Sequence, residues 1–198
     1  MFVTFEGLDG SGKTTQIELL RRHLSAAGRE VVITREPGGT PLGEEIRRLV
    51  LRGEAMTPWA EATLFTAARA QHVEELIRPS LARGATVLCD RYIDSSVAYQ
   101  GGARGLGLDV VLDINLAATG GLLPAATFLL QLDAAEAMAR LESEPDRIER
   151  EQGEFHRRVA DAFGELARRF PERITAVDGR LPPERIAEVV RERVDSLS

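Results

Sequence analysis

The segment Gly7-Leu8-Asp9-Gly10-Ser11-Gly12-Lys13-Thr14 matches G-x-x-x-x-G-K-[ST] at every fixed position. It follows a short β-rich run, Phe2 to Glu6. It opens a stretch, Lys13 to Ala27, in which Ile17, Leu20 and Leu24 recur at helical spacing before Gly28. Strand, glycine loop and helix together form the context that gives the motif its meaning. The glycines let successive N–H groups converge on one anion, and the helix N-terminus adds a favourable dipole. In such a loop the lysine reaches the outer phosphates of a nucleoside triphosphate, and the Thr14 hydroxyl is placed to ligate Mg²⁺.

Lys13 stands out by count as well as by place. The chain has 25 basic residues, and every other one is arginine. A compact ammonium on a flexible stem does what the flat guanidinium fork cannot, so the single exception marks Lys13 as a phosphate ligand. An Asn-Lys-x-Asp motif for reading guanine is impossible, because the only lysine is already used. At 198 residues the chain is short for a motor or transport ATPase, and one domain, 1–198, is expected. The lone Cys89 rules out a disulfide framework. His23, His72 and His156 lie too far apart to form a ligand pair. The net charge of -6 argues against nucleic acid as a partner. No apolar run reaches membrane-spanning length and the first residues do not read as a signal peptide, so a cytoplasmic protein with no membrane partner is expected.

Further along, Glu30 to Thr34, Ala85 to Cys89, Thr127 to Leu132 and Arg173 to Val177 read as strands. Helices are expected over Pro41 to Arg52, from Pro58 with Thr57 as N-cap and a bend near Pro79, and from Asp109 to Ala118. Gly101 to Gly107 is glycine-rich. Three more helices are expected: one capped by Asp133, one through Phe155, Val159, Phe163 and Leu166, and one opening at Pro182-Pro183. Five apolar strands alternating with helices predict an α/β fold, a doubly wound parallel sheet with helices on both faces. Sites in such sheets lie beyond the carboxyl ends of the strands. Arg35 and Arg91 stand just past two of those ends, and Arg140, Arg147 and Arg150 fall in a polar, lid-like segment, 140–152. Arginine forks suit phosphate. A small kinase fits best. An acceptor that is itself a phosphate needs no general base, because its oxygen is largely ionised above a pKa of about 6. It needs cations that let two anions meet.

The runs Phe5-Glu6-Gly7 to Thr15, Thr34-Arg35-Glu36-Pro37-Gly38-Gly39, and Asp90-Arg91-Tyr92 through Ala98-Tyr99-Gln100-Gly101-Gly102 resemble bacterial thymidylate kinases, in order and spacing, over essentially the whole chain. The resemblance implies a P-loop NTPase-type five-stranded sheet in the order 2-3-1-4-5, a homodimer, and transfer of the ATP γ-phosphate to dTMP with Mg²⁺. It implies that Gly7, Leu8, Asp9, Gly10, Ser11, Gly12, Lys13, Thr14 and Thr15 bind ATP, with Arg140 and the turn at Asp178. It puts Asp9 near the deoxyribose 3′-hydroxyl, Arg35 and Arg91 on the dTMP phosphate, and Phe65 stacked on thymine. Arg69 would bond O4, and the spacing of four from Phe65 independently puts the two on one helix face. Pro37, Ser96, Tyr99 and Gln100 match positions lining base and sugar, with Tyr99 where a ribose 2′-hydroxyl would have to fit. Asp90 either acts on the metal through water or is a structural carboxylate bonded to the phosphate loop.

The chain departs from one pattern of that family, which carries arginine directly after the loop aspartate. Here the residue is Gly10, so the lid is expected to supply the charge. Glu142 stands where another lid arginine is expected, leaving Arg140 and Arg147 as catalytic candidates beside Lys13, Arg91 and Asp9. Two other readings are open: a deoxynucleoside kinase with Glu36 as its base, and a nucleotide-binding regulator with weak catalysis.

Overall fold

The computed structural model describes residues 1–140 and 146–197. β1 (Phe2–Glu6), β2 (Val31–Arg35), β3 (Thr86–Asp90), β4 (Ala126–Gln131) and β5 (Ile174–Asp178) form one parallel sheet in the order β2-β3-β1-β4-β5. The three inner strands are buried along nearly their whole length, as continuous apolar runs require when both faces are covered. β2, at the edge, leaves Ile33 half exposed.

Alternation along the strands feeds two cores. Val3, Phe5, Leu88, Phe128 and Leu130 point to one face, where α1 (Lys13–Ala26) and α9 (Pro183–Asp195) cover them with Leu20, Leu24, Ile186 and Val190. Phe2, Val87, Cys89 and Leu129 point to the other, under a longer series of helices. α2 (Pro41–Arg52) starts at the Thr40 cap, whose hydroxyl accepts from the Gly43 N–H, and Thr57 caps α3 (Pro58–His72) in the same way through Ala60. Asp133 caps α7 (Ala134–Ala139) by accepting from the Ala135 N–H. α8 (Gly153–Arg169) completes this face. Among the described residues no helix is long and apolar enough to cross a membrane.

Two wide turns depart from the expected pattern. α3 does not simply bend at Pro79: it loosens into a π-helical turn, Val73–Ile77, before α4 (Arg78–Ala82). Proline offers no N–H and crowds the preceding turn, and the wider turn accommodates it. The glycine-rich run begins inside a helix. α5 (Ile93–Ser96) continues as a second π-helical stretch, Val97–Ala103, ahead of α6 (Leu108–Ala118). A Cβ at Gly102 would lie 2.6 Å from the Ala162 methyl, and one at Gly101 3.1 Å from the Gly107 carbonyl oxygen. These glycines let α8 and the start of α6 pack close, which a reading of glycine as a loop former does not anticipate.

Candidate active site

The parallel register brings the carboxyl ends of β1, β2 and β3 level, with Phe5 beside Asp90 and Arg35 beside Asp90. The loop between β1 and α1 crosses this edge. Gly7 and Gly10 both have positive φ, and a Cβ on them would come within 2.5 Å of the Leu130 carbonyl oxygen and 2.4 Å of the Ala137 carbonyl oxygen. Glycine is required there by conformation and by space. No side chain caps the start of α1, so its first N–H groups remain for an anion. Thr14 and Thr15 are exposed at this end.

Lys13 is buried, and its Nζ donates to the carbonyls of Leu8 (3.0 Å) and Gly7 (3.3 Å). Burial, then the nearby Arg91 charge, pushes its ammonium below the ordinary value. Arg91 adopts φ 69°, an unusual conformation for a side chain this bulky. Its guanidinium donates to Asp9 Oδ1 (2.7 Å) and Ser95 Oγ (3.1 Å) and lies over the Tyr99 ring. Asp9 is also 3.7 Å from Lys13 Nζ. Burial opposes its charge, but Arg91 and Lys13 outweigh that and hold the Asp9 carboxyl well below the usual carboxylate range.

Glu6 supports this group from beneath. It accepts from the Tyr92 N–H (2.8 Å), the Ser95 N–H (3.3 Å) and Ser95 Oγ (2.5 Å), which in turn accepts from Arg91. Burial, and then the Asp94 charge, pushes the Glu6 carboxyl from 4.5 up to about 7. The folded chain thus holds a proton that the unfolded chain releases, so Glu6 makes stability fall as pH rises from 4.5 to about 7. Glu6→Gln is expected to flatten that stretch of the Tm-against-pH curve. An unchanged slope would assign the proton to another group.

Asp9, Pro37, Phe65, Arg69, Arg91, Ser96, Tyr99 and Gln100 all line one cleft, and Asp146, Ile148 and Glu149 close its side. Arg35 is not among them: its half-exposed guanidinium turns to Glu44 at 3.1 Å. Arg47 of α2 lines the cleft with Arg91 and donates to the Pro37 carbonyl. Arg47 belongs to none of the sequence motifs. Its only local signal is its place four residues from both buried Gly43 and half-buried Leu51, on the inner side of α2.

Arg69 is 2% exposed, and four of its five N–H groups are engaged. Its Nε donates to Glu36 Oε2 (2.6 Å), Nη1 to Ser96 Oγ (3.0 Å) and to Asn115 Oδ1, and Nη2 to the Tyr92 carbonyl (3.0 Å). Glu36 Oε1 meets His72 Nδ1 at 2.9 Å, and His72 Nε2 meets Thr34 Oγ1 at 2.7 Å. Glu36, His72 and Cys89 have ligand atoms within 4.8 Å of one another, as a metal site would. Their partners point to another role: Cys89 donates to the Arg91 carbonyl, and the Glu36–His72 pair holds a guanidinium.

The two lid candidates part company. Arg140 lies beside the phosphate loop, where a Cβ on Gly10 would be 3.3 Å from its own Cβ, and its Nη1 donates to the Gly179 carbonyl. Arg147 is not brought to that loop: it donates to Glu61 Oε2 (2.7 Å) and the Val50 carbonyl (2.8 Å). Glu142 lies outside the described residues. Asp178 borders a second cleft with Gly7, Leu8 and Arg180. Among the described residues, Asp90 Oδ1 and Ser11 Oγ are buried without a hydrogen-bond partner. Asp90 does not bond the phosphate loop through that oxygen, which leaves it for a group the chain itself does not supply.

The family model described as Thymidylate kinase matches residues 5–190. A thymidylate kinase of Citrifermentans bemidjiense is 47% identical over 210 residues, covering 99% of this chain and 93% of that protein. One of Clavibacter sepedonicus is 52% identical over 201 residues, covering 100% and 95%. The crystal structure of thymidylate kinase from Ehrlichia chaffeensis superposes with a TM-score of 0.81 at 34% identity, covering 98% of both chains.

Proposed function

The chain belongs to the thymidylate kinase family, and we propose how its side chains divide the work of that family's reaction. The enzyme transfers the γ-phosphate of ATP to dTMP, giving dTDP and ADP. Asp9 carries the reading of the site: it lies between Lys13 of the phosphate loop and Arg91 of the neighbouring cleft. One carboxylate thus ties together the cations of two anion sites.

The triphosphate lies along Gly7 to Thr15 with Lys13 on its outer phosphates, while Arg140 and the Asp178–Gly179 turn serve the nucleoside end. The dTMP phosphate is met by Arg91 and Arg47. The thymine lies against Phe65 with Arg69 at O4, and Tyr99 occupies the space a 2′-hydroxyl would need. A phosphate oxygen of dTMP, already ionised, attacks the γ-phosphorus. The bond from that phosphorus to the bridging oxygen breaks, its electron pair stays on ADP, and no proton moves. The cations hold the two anions in line, which is the main catalytic task in phosphoryl transfer. Mg²⁺, when bound, neutralises charge on the β- and γ-oxygens. The exposed Thr14 hydroxyl and the unpartnered Asp90 Oδ1, acting through water, are the residues that would hold it. Arg35 and Arg147 stand at the margin of this arrangement, each held by a carboxylate.

A deoxynucleoside kinase would need Glu36 free as a base. Both Glu36 oxygens are committed, to Arg69 and to His72. Coupled ADP release with dTMP against thymidine decides: faster turnover on thymidine rejects the proposed acceptor, and ATP binding with no dTDP under any metal condition favours a regulator. We further propose that chain 1–198 works in the cytoplasm as one domain with a lid segment, 140–152, of which 141–145 lie outside the described residues. A homodimer is also proposed. Trp59, Leu49 and Leu42 on the paired helices α2 and α3 expose about half their surface, which self-association would cover. Sedimentation then gives twice the 21.7 kDa chain mass, and a single-chain mass would overturn it.

A further inference from the structure

We infer that Glu61, a residue outside the dTMP cleft, is a positioning residue that sets pyrimidine specificity by locking the Gln100 amide with its oxygen toward the base. This inference rests on the proposed seating of the pyrimidine against Phe65 and Arg69, in the cleft that Gln100 also lines.

A glutamine amide has a donor end and an acceptor end of the same shape, and its partners decide which end faces where. Gln100 lines the cleft, and its Nε2 donates to Glu61 Oε1 at 2.9 Å. Glu61 is 1% exposed and lies behind Gln100. Its remaining acceptor capacity is taken by Arg104, at 3.2 and 3.1 Å, and by Arg147 at 2.7 Å. Burial by itself would raise the Glu61 carboxyl, but the hydrogen bonds from Arg104, Gln100 and Arg147 outweigh it and hold the group below its ordinary value. Glu61 is therefore an ionised, acceptor-only group at neutral pH. It admits only the NH₂ end of Gln100. Oε1, which accepts from no group among the described residues, is left for the cleft.

Arg69 fixes the other half of the pattern. A guanidinium can only donate, and Glu36, Ser96 and the Tyr92 carbonyl hold it in place. The cleft thus offers a donor beside an acceptor. Thymine presents the complement, the O4 acceptor beside the N3–H donor. Cytosine presents an amino group at position 4 and a bare N3, so both contacts fail. An unconstrained glutamine could turn over and offer NH₂ to the cytosine N3, halving the mismatch. The carboxylate of Glu61 forbids that turn.

The test is the ratio of kcat/KM for dTMP to that for dCMP, measured with KM for ATP and Tm. In Glu61→Gln the new amide accepts either end of Gln100, and the ratio is expected to fall about tenfold or more, with KM for ATP within about twofold of the parent. Arg104→Gln takes an ion pair from Glu61 but leaves the amide bond. It should lower Tm and keep the parent ratio. An unchanged ratio in Glu61→Gln overturns the inference, and so does an equal fall in Arg104→Gln, which would trace the effect to loosened packing. If Glu61→Gln does not fold, Glu61→Asp carries the test. It keeps the charge for the long arginines but withdraws the acceptor from Gln100 by one methylene, and must show the same fall; the parent ratio there overturns the inference. Absence of dTMP turnover in the unmodified enzyme would instead refute the proposed reaction, so the two failures are distinct.

Discussion

Lys13→Arg is expected to lower kcat by about 100-fold or more, although the charge is kept. Lys13 is 5% exposed, and its Nζ sits 3.0 to 3.3 Å from two carbonyls of its own loop. From that position an ammonium can swing to the outer phosphates and trade loop carbonyls for phosphate oxygens. A guanidinium is wider, planar and longer. It cannot enter a loop packed so closely that a Cβ at Gly7 or Gly10 would come within 2.5 Å of β4 or α7 backbone. It would also meet Arg91 on the far side of Asp9. The loss should fall on kcat and on ATP. The dissociation constant for dTMP alone, read by calorimetry, should move by less than about threefold, because Lys13 does not itself line the acceptor cleft and the Asp9–Arg91 pair there is kept. A variant that turns over at the parent rate would remove the special role of the one lysine in the chain.

Residues that were legible in the sequence share a property: their place is fixed within a few residues of chain. Gly7 to Thr14 is one segment, and its place follows from strand, glycine and helix in succession. Phe65 and Arg69 are one helical turn apart, and both reach the cleft. Arg91 follows the last residue of β3, and Asp9 meets it because β1 and β3 are neighbours in the sheet. What stayed hidden depends on contacts between distant segments. Arg47 has only its spacing from Gly43 and Leu51 to set it apart from Arg48, whose side chain is 65% exposed. What separates them in the fold is the bond from Arg47 to the Pro37 carbonyl and its place in the cleft wall. Glu61 reads as an ordinary acidic residue in the first turn of α3, favourable to the helix dipole. Its bond to Gln100 and its ion pairs with Arg104 and Arg147 join residues 39, 43 and 86 positions away. The family resemblance points Arg35 and Arg147 to phosphate, and the carboxylates that hold them, Glu44 and Glu61, are visible only in three dimensions.

Arg69→Ala makes the same point energetically. Read from sequence, the substitution removes one contact to thymine O4, so it weakens dTMP binding and leaves ATP alone. The structure adds a second consequence. Arg69 is the cation that offsets Glu36, a carboxylate 4% exposed whose other basic partner among the described residues is His72. Removing one member of a buried pair leaves the other charge uncompensated, at a cost of about 3–5 kcal/mol. For a domain of this size that lowers Tm by roughly 10 °C. Ser96, Asn115 and the Tyr92 carbonyl also lose their donor. Arg69→Ala is therefore expected to raise KM for dTMP about 100-fold and to lose much of its stability together. A drop in activity alone could not separate the two. The double variant Glu36→Gln/Arg69→Ala can, because it removes the stranded charge. Tm should recover by more than half, while KM for dTMP stays as poor as in the single variant and the affinity for ATP remains that of the parent. Recovery of dTMP affinity along with Tm would show that Arg69 only braces the cleft. Equal losses of dTMP and ATP in the double variant would show that it does not read the base.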